Sequence, residues 1–422
     1  MEADIIRAMG QPTIQPSNQP VTLRLDAMTY GGDAIGRVDG KAIFVHGGIA
    51  GEVVRAEIVA DRGRFAQARV VEVVEASPDR VTAPCPHFGF DANACGGCHW
   101  QHIDYAAQVR FKTDIVREQL RRIGRIGAVP VRDTIPNPHP WAYRNHVQFS
   151  VTADGRPGFQ AARSNRVVPV RECHIVEPPI AGWLKSAGRQ EASRVEVRSS
   201  DGGMAVWKPG VGASHLRFTV KGAVFRVSAE SFFQVNTWLI ETLVDWVVQG
   251  LELRGGESVL DAYCGVGLFA RFIAPIARRV VGIESSQSAI ADARVNLGPF
   301  QNVELREGPV ENELAGAGDL DAAIVDPPRS GCGPAVIEGL IAKRVRRLVY
   351  VSCDPSTLAR DARQLIDSGY RLVDLQPLDM FPHTYHIECV AHFERERGSN
   401  WLQDGNQTDR FGECESGYDR NG

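Results

Sequence analysis

SVLDAYCGVGLFA, residues 258–270, decides the fold: a short apolar run passes into a glycine turn and then into the start of a helix. Glycines at 265 and 267 permit a tight turn and let the backbone come close to a ligand. Outward from this stretch the same rhythm repeats. NTWLIETLVDWVVQGL (236–251) precedes it; RVVGIE (279–284), AIADARVNL (289–297), LDAAIVD (320–326), AVIEGLIAKR (335–344), RLVYVSC (347–353) and TLARDARQLIDSG (357–369) follow. Helix and strand in alternation predict an α/β, doubly wound parallel sheet. RLVDLQPLDMF (371–381) and HIECVAHFER (386–395) have no helix between them, which predicts an antiparallel hairpin at one edge.

Upstream the texture is different. Residues 1–18, rich in Pro, Gln, Asn and Ser, read as a disordered lead-in, and the polar stretch beyond Arg397 (397–422) as a disordered tail. Short alternating runs from Val21 to Glu75, separated by Gly31-Gly32 and Gly47-Gly48, predict a small closed β-barrel over 19–77. A central domain (78–232) contains one helix over 101–124 and then short strands and turns over 141–232, and the cofactor-binding domain occupies 233–396. The polar start carries no signal-peptide pattern and no apolar run is long enough for a membrane helix, so a cytoplasmic protein without a membrane partner is expected. The net charge of −4 lies in the tails: residues 396–422 hold six acids and three bases, residues 1–18 two acids and one base, and the body between is neutral. Basic clusters remain within it, at Arg62, Arg64 and Arg69, at Arg117, Arg121, Arg122 and Arg125, and at Lys343, Arg344, Arg346 and Arg347. Each taken alone reads as a solvated face.

Gly265, Gly267 and Ala270 satisfy GxGxxA, which by itself also allows NAD. Glu284, ending the next strand, places a carboxylate where a ribose presents two hydroxyls. The edge hairpin, and the stiff turn Asp326-Pro327-Pro328-Arg329 at the carboxyl edge, favour S-adenosylmethionine instead. Cys353 stands at the tip of the following strand, on the same edge, where a helix starting near Ser356 and the neighbouring Arg329 favour a thiolate.

FFQVN (232–236), DAYCGVGLF (261–269), DPPRSG (326–331), VYVSCDPSTLARD (349–361) and MFPHTYHIE (380–388), in this order, resemble the RNA 5-methyluridine (uracil-5-) methyltransferase family, which contains the bacterial 23S rRNA and tRNA enzymes. The resemblance covers roughly residues 20–395. It implies Cys353 as nucleophile, Glu388 as base, and Gln234, Tyr263, Glu284 and Asp326 as contacts of S-adenosylmethionine. Leu268 departs from the pattern, since family members often have asparagine there, and that cofactor contact is left open. Carbon 5 of uracil is a poor nucleophile. A thiolate added at carbon 6 makes it an enolate able to take a methyl group, after which a base must remove the carbon-5 proton. Arg329 is assigned to the uracil or its phosphate, and His383 and His386 flank the base, at least one of them in a structural role.

Nine cysteines, an odd count, argue against a disulfide framework. Cys85, Cys95 and Cys98 in CPHFGFDANACGGC (85–98), with Cys173 downstream, form a metal-ligand pattern that suits zinc or an iron–sulfur cluster. The family resemblance implies a [4Fe–4S] cluster, although the first two ligands are usually closer together. Methyl transfer moves no net electrons, so a structural role is the economical one. Cys264, Cys332 and Cys389 read as packed small residues, and Cys414 falls in the tail. The Tyr30-Gly-Gly-Asp-Ala-Ile-Gly turn resembles the TRAM domain, an OB-like barrel on RNA-modifying enzymes, so the expected partner is structured RNA, rRNA ahead of tRNA. Phe232, Phe233 and Tyr385 are candidates to stack on displaced bases, with core packing the stronger expectation for the two phenylalanines. A non-catalytic RNA-binding assembly factor is the reading from another class, and retention of both Cys353 and Glu388 weighs against it.

Overall fold

The computed structural model describes residues 20–127, 130–162, 164–208 and 215–395. The expected lead-in (1–18) and tail (397–422) therefore lie outside the described residues. Strands β1 (Val21–Met28), β2 (Ala34–Val38), β3 (Lys41–His46), β4 (Val53–Asp61) and β5 (Phe65–Glu75) close into a barrel in the order β1-β2-β3-β5-β4. Alternate side chains point inward with the two-residue strand period, among them Leu23 and Leu25, Ile43 and Val45, and Ala66 and Ala68.

Helix α1 (Tyr105–Arg122) starts where Asp104 caps it by accepting the Ala106 N–H. Beyond it, β6 (His146–Val151), β7 (Pro157–Gln160), β8 (Val167–Pro169), β9 (Arg194–Ser200) and β10 (Gly203–Trp207) form a sheet in the order β10-β9-β6-β7-β8. Helix α2 (Pro178–Ser186) was not expected from the sequence. It spans nine residues with proline in its first turn, too short for a helical period to show, and it buries Ile180 and Leu184 against Val147, Phe149, Val195 and Val197. The hairpin β11 (His215–Val220) and β12 (Ala223–Ser228) packs Phe218, Val220, Phe225 and Val227 into the core of the C-terminal sheet. By packing, these residues go with the C-terminal domain, although the sequence division ran to 232.

The C-terminal domain runs α3 (Ile240–Leu251), β13 (Ser258–Ala262), α4 (Leu268–Ile273), β14 (Arg279–Glu284), α5 (Gln287–Leu297), β15 (Val303–Glu307), α6 (Val310–Glu313), β16 (Ala322–Val325), α7 (Pro334–Ala342), β17 (Arg347–Ser352), α8 (Pro355–Asp367), β18 (Tyr370–Leu378) and β19 (Glu388–Arg395). The strand order is β15-β14-β13-β16-β17-β19-β18, parallel through β17 and antiparallel for the last two. This is the expected sheet with its edge hairpin. Every residue of β13 and β16 is buried, as a strand covered on both faces requires. Among the described residues, no helix is long and apolar enough to cross a membrane.

One hydrophobic cluster runs from the barrel (Leu23, Val45) through α1 (Ile115, Val116, Leu120) into α8 (Leu358) and β18 (Leu375) of the C-terminal domain. Within this continuous packing lies a charged contact: Lys112 Nζ on α1 is 2.5 Å from Asp379 Oδ1, just past β18, and both side chains are fully buried. Removing one partner strands the other charge in a low dielectric. Lys112→Ala should destabilise the protein by about 3–5 kcal/mol in urea unfolding. Lys112→Met with Asp379→Leu should recover most of that loss. A cost for the single change below about 1 kcal/mol, the range of an exposed pair, would contradict this reading.

Candidate active site and four-cysteine cavity

Antiparallel pairing of β17 with β19 places Ser352 opposite Cys389. Carried one residue forward from β17 and one residue back on β19, that register brings Cys353 opposite Glu388, whose charge acts on the thiol. The Cys353 backbone is tied down on both sides. Ser352 Oγ donates to Asp354 O at 2.9 Å and accepts the Asp354 N–H at 3.2 Å, and the Tyr30 hydroxyl of the barrel donates to Cys353 O at 3.4 Å. Burial pushes the Cys353 thiol up to about 12, Glu388 adds to the rise, and Arg329 opposes it. Of the two features expected to favour a thiolate, Arg329 does act in that direction, but burial outweighs it. The helix start offers Cys353 little, because the Asp354 carboxylate caps α8 by accepting from Ser356 N and Thr357 N, so a negative group already occupies the terminus. Glu388 is buried, and its carboxyl is held well above the usual range by burial first and then by Asp326, with Arg329 again opposing.

The carboxyl edge of the sheet also borders a cavity of about 790 Å³ lined in part by Tyr263, Ser285, Pro309, Pro328, Gly331 and Thr357, with neither Cys353 nor Glu388 in its lining. Tyr263 holds a left-handed φ of 64°, a strained conformation for a tyrosine. Gly265 and Gly267 are also left-handed, and a Cβ at Gly267 would meet the Leu297 side chain at 2.7 Å. The Glu284 carboxylate sits at the mouth of that turn, accepting from Gly265 N at 2.9 Å and Ser286 N at 2.7 Å. Asp326, at the end of β16, is pushed up to about 7 by burial. Of the four expected cofactor contacts, Tyr263 lines the cavity; Glu284 directly precedes the lining Ser285, Asp326 stands two residues before the lining Pro328, and Gln234 is not in the lining. Gln234 is buried, its carbonyl accepting from Asn145 Nδ2 at 3.2 Å. Leu268 is buried in the hydrophobic core at the start of α4.

The two phenylalanines of FFQVN part company. Phe233 packs on Phe218 with ring centroids 4.8 Å apart, whereas Phe232 is 67% exposed, against the expectation of core packing. Tyr385 meets Tyr30 edge-on at 5.6 Å, so barrel and edge hairpin touch at the site.

Cys85, Cys95, Cys98 and Cys173 line one cavity of about 310 Å³ together with Gln101 and Arg144. Burial pushes all four side chains up, Cys95 to about 11. Among the described residues, no group of three or more His, Cys, Asp or Glu is placed to hold a single metal ion. The four thiols surround a volume and do not converge on a point. Cys264, Cys332 and Cys389 are buried, as expected.

Several residues of the site were not singled out from the sequence. Asp261, buried in β13, accepts from Ala270 N at 2.9 Å and so ties the glycine turn to the sheet; burial pushes it up to about 8. Its place in the quoted motif was a usable signal. Tyr30 was quoted within a turn, but nothing local indicated that it reaches a residue 323 positions away.

A family model described as tRNA (uracil-5-)-methyltransferase matches residues 198–306 and 317–396, and a TRAM domain model matches residues 18–71. An RNA methyltransferase of Halalkalibacterium halodurans is 34% identical, covering 89% of this chain and 97% of its own; one of Streptomyces avermitilis is also 34% identical, covering 88% and 97%. Among solved structures, a tRNA (uracil-54, C5)-methyltransferase of Pyrococcus abyssi with S-adenosyl-L-homocysteine superposes with a TM-score of 0.65 at 24% identity, covering 89% of this chain and all of that one. That likeness carries the fold.

The raised Cys353 thiol has a direct consequence in the free protein. Far below its pKa, the thiolate fraction grows about tenfold per pH unit. Alkylation of Cys353 by iodoacetamide, followed by peptide mass spectrometry, should therefore keep accelerating from pH 7 to pH 9. A plateau below pH 8 would mean that the thiolate already forms in the free site.

Proposed function

The chain belongs to the tRNA (uracil-5-)-methyltransferase family of S-adenosylmethionine-dependent RNA (uracil-C5) methyltransferases, and on that premise we propose that it methylates a uridine of 23S rRNA through a covalent adduct of Cys353. The observation that carries the mechanism is the β17–β19 register, which sets Cys353 against Glu388 at the carboxyl edge that also borders the large cavity. S-adenosylmethionine supplies an electrophilic methyl group there, with Tyr263, Glu284, Asp326 and Gln234 as the residues that hold it.

The Cys353 thiolate adds to carbon 6 of the uracil, and the displaced electron pair moves onto oxygen 4 as an enolate. Carbon 5 then takes the methyl group, and S-adenosylhomocysteine is released. Glu388 removes the carbon-5 proton. The electrons of that C–H bond restore the 5,6 double bond and expel the Cys353 thiolate. Burial makes the ionised Glu388 carboxylate a stronger base than an exposed one. Arg329 is the cation whose charge favours the ionised forms of both residues.

The barrel and the four cysteines support rRNA as the substrate through the family resemblance. OB-like barrels bind single strands by stacking and charge, and Phe232 offers an exposed ring near the site. Similarity to the Pyrococcus abyssi tRNA enzyme over 89% of the chain favours tRNA as the second reading. For the four-cysteine cavity we propose a [4Fe–4S] cluster, held by Cys85, Cys95, Cys98 and Cys173 in a structural role. A zinc ion needs its four sulfurs about 2.3 Å from one point. Four thiols around about 310 Å³ suit a group that brings several atoms of its own.

Anaerobically purified protein, S-adenosylmethionine and unmodified 23S rRNA or tRNA transcripts should yield 5-methyluridine, detected by nucleoside mass spectrometry, in the rRNA alone. Product in tRNA alone overturns the substrate and keeps the reaction. Cys353→Ala should abolish product while S-adenosylmethionine still binds, and Glu388→Gln should accumulate a denaturation-resistant protein–RNA adduct. A Glu388→Gln variant that turns over normally would place the base elsewhere. Cys98→Ser should lose iron and lower the unfolding temperature; unchanged iron content would refute the ligand set.

A further inference from the structure

His383 lies five residues before Glu388 and holds a left-handed φ of 63°, which is uncommon for a residue other than glycine or asparagine. Such a conformation persists only where its surroundings over-determine it. Here every polar backbone atom of the residue is engaged. His383 N donates to Gln108 Oε1 at 2.9 Å, and His383 O accepts from His99 N at 2.8 Å and Trp100 N at 3.0 Å. Its ring stacks on Trp141, with centroids 3.6 Å apart and planes 20° from parallel. Gln108 is wholly buried, and its Nε2 also reaches Trp100 O at 3.1 Å and Ile103 O at 2.9 Å, so one amide joins α1, the segment after Cys98 and the edge hairpin. From His383 the chain reaches Glu388 through a tight turn: Thr384 Oγ1 donates to Phe381 O at 2.8 Å and accepts the His386 N–H at 3.2 Å, and Ile387 is fully buried.

We propose that Gln108 is a positioning residue for the second half of the reaction: by locking the left-handed backbone at His383, it aims the Glu388 carboxylate at the carbon-5 proton. This rests on Glu388 as the base. Thiolate addition and methyl transfer need Cys353 and the cofactor edge, which Gln108 does not touch. Loss of the lock should slow proton removal selectively, and the methylated covalent adduct should build up.

The test compares Gln108→Met, His383→Val, His383→Gly and Glu388→Gln with the parent, in the full-length protein and on the RNA it methylates. Denaturation-resistant complex, product and S-adenosylmethionine binding are read in each. A displacement of about 1 Å at a catalytic group costs on the order of a hundredfold. Gln108→Met and His383→Val should bind S-adenosylmethionine normally, turn over roughly a hundredfold more slowly and accumulate adduct, as Glu388→Gln does. His383→Gly adopts the left-handed backbone without strain and should turn over within about a fewfold of the parent. If Gln108→Met does not fold, the His383→Val and His383→Gly pair decides alone. The proposal is overturned if His383→Val matches the parent, or if the slowed variants lose adduct and product in proportion, as general destabilisation would cause. A Glu388→Gln variant that forms no adduct removes the base reading and this proposal with it. Adduct in Glu388→Gln but in neither lock variant removes the proposal alone.

Discussion

The site depends on the insertion of β19, antiparallel, between β17 and β18. In a parallel sheet every strand starts at the opposite edge and ends at the carboxyl edge, so only a reversed strand can bring its first residue there. Here β19 enters at that edge and runs back down. Its first residue, Glu388, therefore faces the residue that follows the last of β17, which is Cys353. The pairing fixes which side chains meet, but the loop that brings the chain back from Asp379 to Ile387 must still be shaped. That shaping comes mainly from the central region, with Asn236 at the start of the C-terminal domain adding one bond. Lys112 bonds Asp379 and Phe381 O, Asn236 bonds Met380 O, Tyr143 bonds Pro382 O, and Gln108 bonds His383. The catalytic edge of one domain is thus held by buried polar groups of another, which gives the domains a reason to be packed through one continuous core.

The same edge concentrates negative charge. Asp261, Asp326 and Glu388 all have their carboxyls pushed up, with burial as the first cause in each case, and Cys353 is pushed up beside them. Arg329 is the counter-charge that opposes the rise of both Cys353 and Glu388. Desolvation disfavours ionised groups until something compensates. A positively charged sulfonium beside these carboxyls would provide such compensation.

Sequence rhythm was enough for the barrel, the doubly wound sheet and the edge hairpin, because each is written in a local period: two for strands, glycine at turns, alternation of helix and strand. Helix α2 escaped because nine residues starting with two prolines show no period. The balance of forces on Cys353 was only partly legible, since Arg329 favours the thiolate as expected while burial opposes it. A helix start and an arginine are visible in the sequence, but the cap by Asp354 and the charge of Glu388 depend on folded geometry. Phe232 and Phe233 could not be told apart by type, and only packing against Phe218 separates them. Tyr30, Gln108 and Lys112 were illegible for one shared reason. Each acts on a residue more than 260 positions away, and no local pattern encodes such a partner.

The central claim is that Cys353 bonds to carbon 6 of the uracil during methyl transfer, and the most direct measurement uses RNA in which uridine is replaced by 5-fluorouridine. After methylation, carbon 5 then bears fluorine where a proton should leave, so the base has nothing to remove and the thioether cannot be expelled. In the transcript that yields 5-methyluridine from its unfluorinated form, the account predicts a complex that survives denaturation. Digestion of that complex should give a peptide carrying methylated 5-fluorouridine on Cys353. A bound fluorinated transcript that forms no covalent complex, or a complex through another residue, would contradict it.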